Sequence, residues 1–173
     1  MRSFIDSLVA ARIGRTTNFY RDGERAALRR DRLAAYLDAR RSAPILLVGE
    51  APGYRGARVS GIPFTSERQL TGTGPAEATA TIVQRTLAEL GLTDEVLLWN
   101  VVPTHPGTVC SNRAPTLAEV AAGLVFAHRL GAGRRVVAVG RLAERALGVP
   151  SVRHPSHGGA KAFASGLRDL IAL

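Results

Sequence analysis

The sequence holds one cysteine, Cys110, and one lysine, Lys161, among 173 residues. A lone cysteine excludes an intrachain disulfide, a zinc ribbon and any four-cysteine iron–sulfur site. The four histidines, His105, His128, His154 and His157, lack the spacing of a zinc-binding helix. No metal and no cofactor are expected. Long apolar runs are also missing. The longest, such as Ile45–Val48 and Val136–Val139, are strand-length and far too short to span a bilayer. Met1-Arg2-Ser3-Phe4-Ile5-Asp6 lacks the continuous apolar stretch of a secretory signal. The expectation is a cytoplasmic protein with no membrane partner. Pro/Gly-rich linkers, repeats and low-complexity tracts are absent as well, so residues 1–173 read as a single domain, with 1–42 a helical extension packed on it.

Acids are scarce: 14 against 23 Lys and Arg, a net charge of +9 carried almost wholly by arginine. Such an excess suits a polyanionic partner, because each phosphate contact releases condensed counterions. An arginine-rich proteome would give the same number, and composition alone does not separate the two.

The patterning is that of an α/β chain. Residues 22–40 carry Ala26, Leu28, Leu33, Tyr36 and Leu37 at helical spacing. Ile45–Val48, stopped by Gly49 and Pro52, reads as a strand buried on both faces. Residues 51–74, rich in Gly and Thr, read as one long loop. A helix follows from Ala76 to Leu90 with Gly91 as its stop, then a strand from Val96 to Val102. Thr116 with Glu119 forms a capping-box pattern that opens a helix to Leu130. Strand Arg135–Val139, helix Leu142–Leu147, a short strand over 151–153 and a closing helix from Ala160 to Leu170 complete the chain. Alternating strands and helices predict a three-layer α/β/α sandwich around a mostly parallel, four-stranded sheet. Ligands of such sheets sit beyond the carboxyl ends of the strands.

The segments at those ends carry the candidate residues. Gly49-Glu50-Ala51-Pro52-Gly53 follows the first strand and permits a tight turn that presents backbone N–H groups. Glu50 brings a carboxylate to the crevice. Phe64, in Gly61-Ile62-Pro63-Phe64-Thr65, is a stacking platform for a planar base or else a core residue. Asn100 interrupts an apolar strand, which is costly unless its amide is hydrogen-bonded. That amide either reads the donor–acceptor edge of a pyrimidine or is satisfied within the chain. Arg153-His154-Pro155-Ser156-His157-Gly158-Gly159-Ala160-Lys161 combines a donor for a developing oxyanion with groups suited to phosphates.

Taken together these segments resemble the uracil-DNA glycosylase superfamily, most closely its family-4 and family-5 branches. Gly49–Gly53 matches the family-4 first motif letter for letter, and Gly61-Ile62-Pro63-Phe64 is similar to the Gly-x-Pro-Phe whose phenylalanine stacks on the flipped uracil. Asn100-Val101-Val102 with Asn112-Arg113, and His154-Pro155-Ser156, are similar to the remaining motifs. The resemblance spans roughly residues 43–170. The sequence departs from it in lacking the four cluster cysteines: Thr104 stands near the place of a ligand cysteine. The loop between Asn100 and Asn112 is also longer, which puts the role of Asn112-Arg113 in question.

The resemblance implies a monofunctional glycosylase that flips uracil out of single- or double-stranded DNA and hydrolyses its glycosidic bond as a monomer. It implies His154 as donor to uracil O2, helped by amides from Gly49 to Ala51, with Asn100 on O4 and N3. Phe64 stacks on the ring. Ala51 occupies the place of a water-positioning Asp in the best-known branch, and Glu50 is the candidate to replace it. Tyr54 is a candidate against the thymine methyl. Arg153, Ser156, His157, Gly158, Gly159 and Lys161 are assigned to DNA, Lys161 rather as a phosphate contact than as a Schiff-base nucleophile. Alternatives are the same fold acting on hypoxanthine, xanthine or thymine opposite guanine, a uracil- or abasic-site binding module without turnover, and a nucleotide-binding α/β domain unrelated to DNA.

Overall fold

In a computed structural model, which describes residues 2–171, β1 (Ile45–Gly49), β2 (Val96–Asn100), β3 (Arg135–Val139) and β4 (Ser151–Val152) form one sheet in the order β2-β1-β3-β4. Every pairing is parallel, with Val48 opposite Trp99 and Ala138, and Gly49 opposite Asn100. The expected α/β/α architecture is therefore present. Alternation along each strand sends side chains to opposite faces. Leu46, Val48, Leu97 and Trp99 join one buried cluster, while Ile45, Leu47, Val96 and Leu98 join the other.

Each face is closed by helices. The first cluster takes in Phe4, Ile5 and Leu8 of α1 (Arg2–Ala10), Leu33 and Leu37 of α2 (Ala26–Ala39), and Phe126 and Leu130 of α6 (Leu117–Gly131). Phe4 meets the rings of Trp99 and Phe126 edge-on, at 5.5 and 5.7 Å between centroids. The second cluster is closed by Val83 and Leu87 of α5 (Ala78–Glu89) and by Phe163 and Leu167 of α8 (Ala160–Ile171). The short α7 (Arg141–Leu147) connects β3 to β4.

Local chemistry sets the boundaries. Thr116 Oγ1 accepts from the Glu119 N–H, and the Glu119 carboxylate accepts from the Thr116 N–H, so the capping box forms as its sequence predicts. Gly91, at φ 69°, follows the end of α5 in the left-handed conformation a helix stop requires. Two expectations need correction. The helix expected from residue 22 starts at Ala26, because Gly23 sits at φ 88°, and a separate helix, α1, precedes it. The stretch 51–74 is not one loop: it contains α3 (Ala57–Ser60) and α4 (Glu67–Thr71), the latter opened by a Ser66/Gln69 capping box that the Ser-x-x-Gln spacing already spelled. Among the described residues no helix is long and apolar enough to cross a membrane.

Candidate active site

The carboxyl ends of β1, β2 and β4 open into a cavity of about 460 Å³, whose walls include Glu50, Phe64, Glu77, Asn100, His154 and Ser156. Four of the sequence-predicted segments thus meet where a parallel sheet receives its ligand.

Asn100 ends β2, is 4% exposed, and its amide has no hydrogen-bond partner among the described residues. Although the residue is buried, its amide atoms open onto the cavity, where water or a ligand can satisfy them. It faces the cavity rather than the core, so the reading of a structurally satisfied Asn does not describe this side chain.

Phe64 is buried beside it and adopts φ 51°, one of two non-glycine residues with positive φ among the described residues; the other is His157, which also lines the cavity. Such backbones cost on the order of 1–3 kcal/mol and persist only where their surroundings enforce them. For Phe64 the enforcement is visible. Ser60 Oγ donates to the Thr65 carbonyl at 2.6 Å and accepts from the Ile62 N–H, while Gln84 donates to the Phe64 carbonyl and to Thr65 Oγ1. A Cβ at Gly49 would overlap the Phe64 ring and sit 3.1 Å from Asn100 Oδ1. The glycine after β1 is what lets ring and amide lie together over the strand end.

His154 is held in one tautomer. The Ser156 backbone N–H donates to His154 Nδ1 at 3.2 Å, with Ser156 Oγ also 2.7 Å away. A nitrogen that accepts from an amide carries no proton, so the imidazole proton resides on Nε2, which has no partner among the described residues. Burial, with His157 nearby, pushes the His154 pKa below its ordinary value. The ring is a neutral Nε2–H donor in a wall of the cavity.

Two carboxyl groups line the same space with no ion-pair partner among the described residues. Burial pushes both Glu50 and Glu77 above the usual carboxylate range. Glu77 was not among the sequence candidates: the pattern put it inside a helix from Ala76, whereas the helix starts at Ala78 with Glu77 as its N-cap. Ala51 lines the cavity too, and its side chain brings no polar group to it.

The long loop after β2 is tied to the first motif. His105, buried, sits with Nδ1 2.7 Å from the Pro52 carbonyl and Nε2 2.8 Å from the Thr108 carbonyl. Asn112 Oδ1 accepts from the Tyr54 N–H, and Arg113 makes a two-point ion pair with buried Glu119. Asn112 and Arg113 therefore reach the cavity edge despite the loop's length. The Tyr54 ring is not among the lining residues and lies under Arg55, 5.8 Å from its guanidinium carbon. Arg153 lines a smaller adjoining cavity of about 310 Å³ with Arg141, Ser156 and His157. Gly158 is exposed at φ 76°, and a Cβ on Gly159 would overlap the His154 carbonyl. Lys161 is exposed on α8, outside both cavities.

A four-thiolate cluster does not fit these residues. Cys110 is a single exposed thiol, and Thr104 is fully buried with Oγ1 2.5 Å from that of Thr16. Among the described residues no three His, Cys, Asp or Glu side chains come together as a metal site.

The family model of the uracil DNA glycosylase superfamily matches residues 36–169. No curated protein sequence matches the chain. Among solved structures, the crystal structure of wild-type SMUG2 from Pedobacter heparinus has a similar fold, with a TM-score of 0.69 over 98% of this chain and 99% of that one, at 14% sequence identity.

Proposed function

The chain belongs to the uracil DNA glycosylase superfamily, and from that premise we propose that it excises uracil, hydrolysing the glycosidic bond to leave an abasic site without a cofactor. Membership supports glycosylase chemistry on DNA; the choice of uracil rests on Asn100. Its unpartnered amide, beside the Phe64 ring, supports a reading in which a flipped base stacks on Phe64 while Asn100 donates to uracil O4 and accepts from N3–H. Cytosine presents the reverse order at those atoms, which the same amide would meet only after a 180° flip.

Leaving-group departure puts negative charge on uracil O2. A neutral His154 with its proton on Nε2 is suited to meet that charge, and backbone N–H groups from Gly49 to Ala51 add to it. The net charge of +9 supports a DNA partner. Arg153, Ser156, Gly158, Gly159 and Lys161 are read as contacts to flanking phosphates, and His157 as the side chain that probes the gap. The exposure of Lys161, outside the cavity, favours phosphate over nucleophilic work at C1′. The protein is read as a single-domain monomer.

The test is turnover. Purified protein in chelator is given a tenfold excess of uracil-containing oligonucleotide, single-stranded and paired with G or A, and free uracil is quantified by chromatography. Several uracils released per protein molecule is the expected result. A stoichiometric gel shift with no free base would instead describe a binding module. Release only of hypoxanthine, xanthine or thymine from parallel substrates would move the specificity.

A further inference from the structure

Hydrolysis needs a group that accepts a proton from water and faces the cation left at C1′. Ala51 has none to offer. Glu77 stands at the N-cap of α5, yet its side chain makes no capping hydrogen bond and has no ion-pair or hydrogen-bond partner among the described residues. Glutamate is not one of the short side chains that cap a helix by turning back onto its first amides. This one turns into the cavity, with its carboxylate pressed against Gly53 and Gly56, where a Cβ at either glycine would overlap it. The first-motif turn is thus shaped around the Glu77 carboxylate. The N-terminus of a twelve-residue helix favours negative charge there.

We propose that Glu77 is a catalytic residue of this reaction, orienting the attacking water at C1′ in place of the polar group that Ala51 lacks. The inference rests on the proposed excision of uracil and names the water's partner. The C1′–N1 bond breaks with its electron pair going to the uracil ring. The water oxygen bonds to C1′, and a water proton passes to the Glu77 carboxylate, from which it returns to the departing base or to solvent. Burial without a cation, which lifts this carboxyl above its usual range, makes it a better proton acceptor than an exposed Glu. Glu50 lines the same cavity, and the comparison between the two is the test.

Single-turnover excision from a uracil duplex is measured for wild type, Glu77→Gln, Glu77→Asp and Glu50→Gln. Alongside it, binding to the same duplex carrying 2′-fluoro-deoxyuridine, which resists cleavage, and the melting temperature are recorded. The expected result for Glu77→Gln is a fall of at least about 100-fold in the chemical rate, with binding within twofold and melting unchanged or raised. Glu77→Asp should recover part of the rate, and Glu50→Gln should fall less than Glu77→Gln. A Glu77→Gln rate within threefold of wild type overturns the proposal, as does a loss of binding that accounts for the whole fall. Should Glu77→Gln fail to fold, a Glu77→Asp rate equal to wild type or a larger loss in Glu50→Gln overturns it. Wild type that excises no base would overturn the proposed function itself, and this inference with it.

Discussion

Glu119 and Glu77 are both glutamates withdrawn from water, and their surroundings are opposite. Glu119 accepts from the Arg113 guanidinium at two points, from the Thr116 N–H and from the Arg15 N–H, and its pKa is driven down to about 2, first by the Arg113 hydrogen bonds. Glu77 has no partner among the described residues and is pushed up by burial. The same division runs through the molecule. Away from the cavity, Asn18 donates to three carbonyls, Glu67 pairs with Arg25 and Arg32, and Thr104 meets Thr16. Around the cavity, Asn100, Glu50, Glu77 and the Nε2 of His154 are left open, and both strained non-glycine backbones, Phe64 and His157, sit among them. The Trp99 indole N–H, buried in the core without a partner among the described residues, is the exception. Otherwise paired polar groups build this fold, and the unpaired ones around the cavity are open to a ligand.

The comparison can be broken in order of expected effect. Replacing His154 by Ala removes one donor to the developing oxyanion, and single-turnover uracil excision should fall by roughly 10²–10³-fold. Melting should stay near wild type, since His154 bonds only within its own turn. Replacing Glu119 by Ala deletes the capping box and leaves Arg113 and two amides unpaired, for a loss of about 3 kcal/mol in urea unfolding. Excision by the folded fraction should persist.

The two carboxylate classes also differ in the sign of their pH response. Glu119 has a folded pKa depressed from 4.5 to about 2, so its contribution is complete above 4.5 and is lost as pH falls toward 2. The Glu119→Gln variant should therefore lose less stability than wild type across that window, measured by urea melts at each pH. Glu50 and Glu77 are raised, so each binds a proton more tightly folded than unfolded, and ionisation opposes folding as pH rises past 4.5. Glu77→Gln and Glu50→Gln should be more stable than wild type at pH 7 in urea unfolding, a stabilisation obtained by disarming the site. A loss of stability in both would break the division between the classes.

Much of this architecture was legible in the residues, for reasons that can be named. The strands announced themselves as continuous apolar runs because both faces are covered, and the Thr116/Glu119 box is local chemistry that needs no tertiary context. Phe64, Asn100 and His154 were found because each follows or ends a strand. What escaped depends on contacts distant in sequence. Glu77 lies in a stretch without a motif, and only the glycines at 53 and 56, more than 20 positions upstream, reveal where its carboxylate rests. His105 looked like an unplaced histidine until the fold brought Pro52 to one ring nitrogen and Thr108 to the other. Tyr54 was chosen for following the first motif, but its N–H is what serves the site, through Asn112, while its ring turns to Arg55.

Asn100→Ala tests the division most directly, since Asn100 is the most buried of the open groups. Its single-turnover excision rate and its urea unfolding free energy should be measured on the same preparation. The account predicts a rate at least about 100-fold below wild type, a loss of about 2.7 kcal/mol in transition-state binding, with unfolding free energy equal or higher. A protein that unfolds more easily yet still excises uracil at the wild-type rate would contradict it, because Asn100 would then belong with the groups that build the fold.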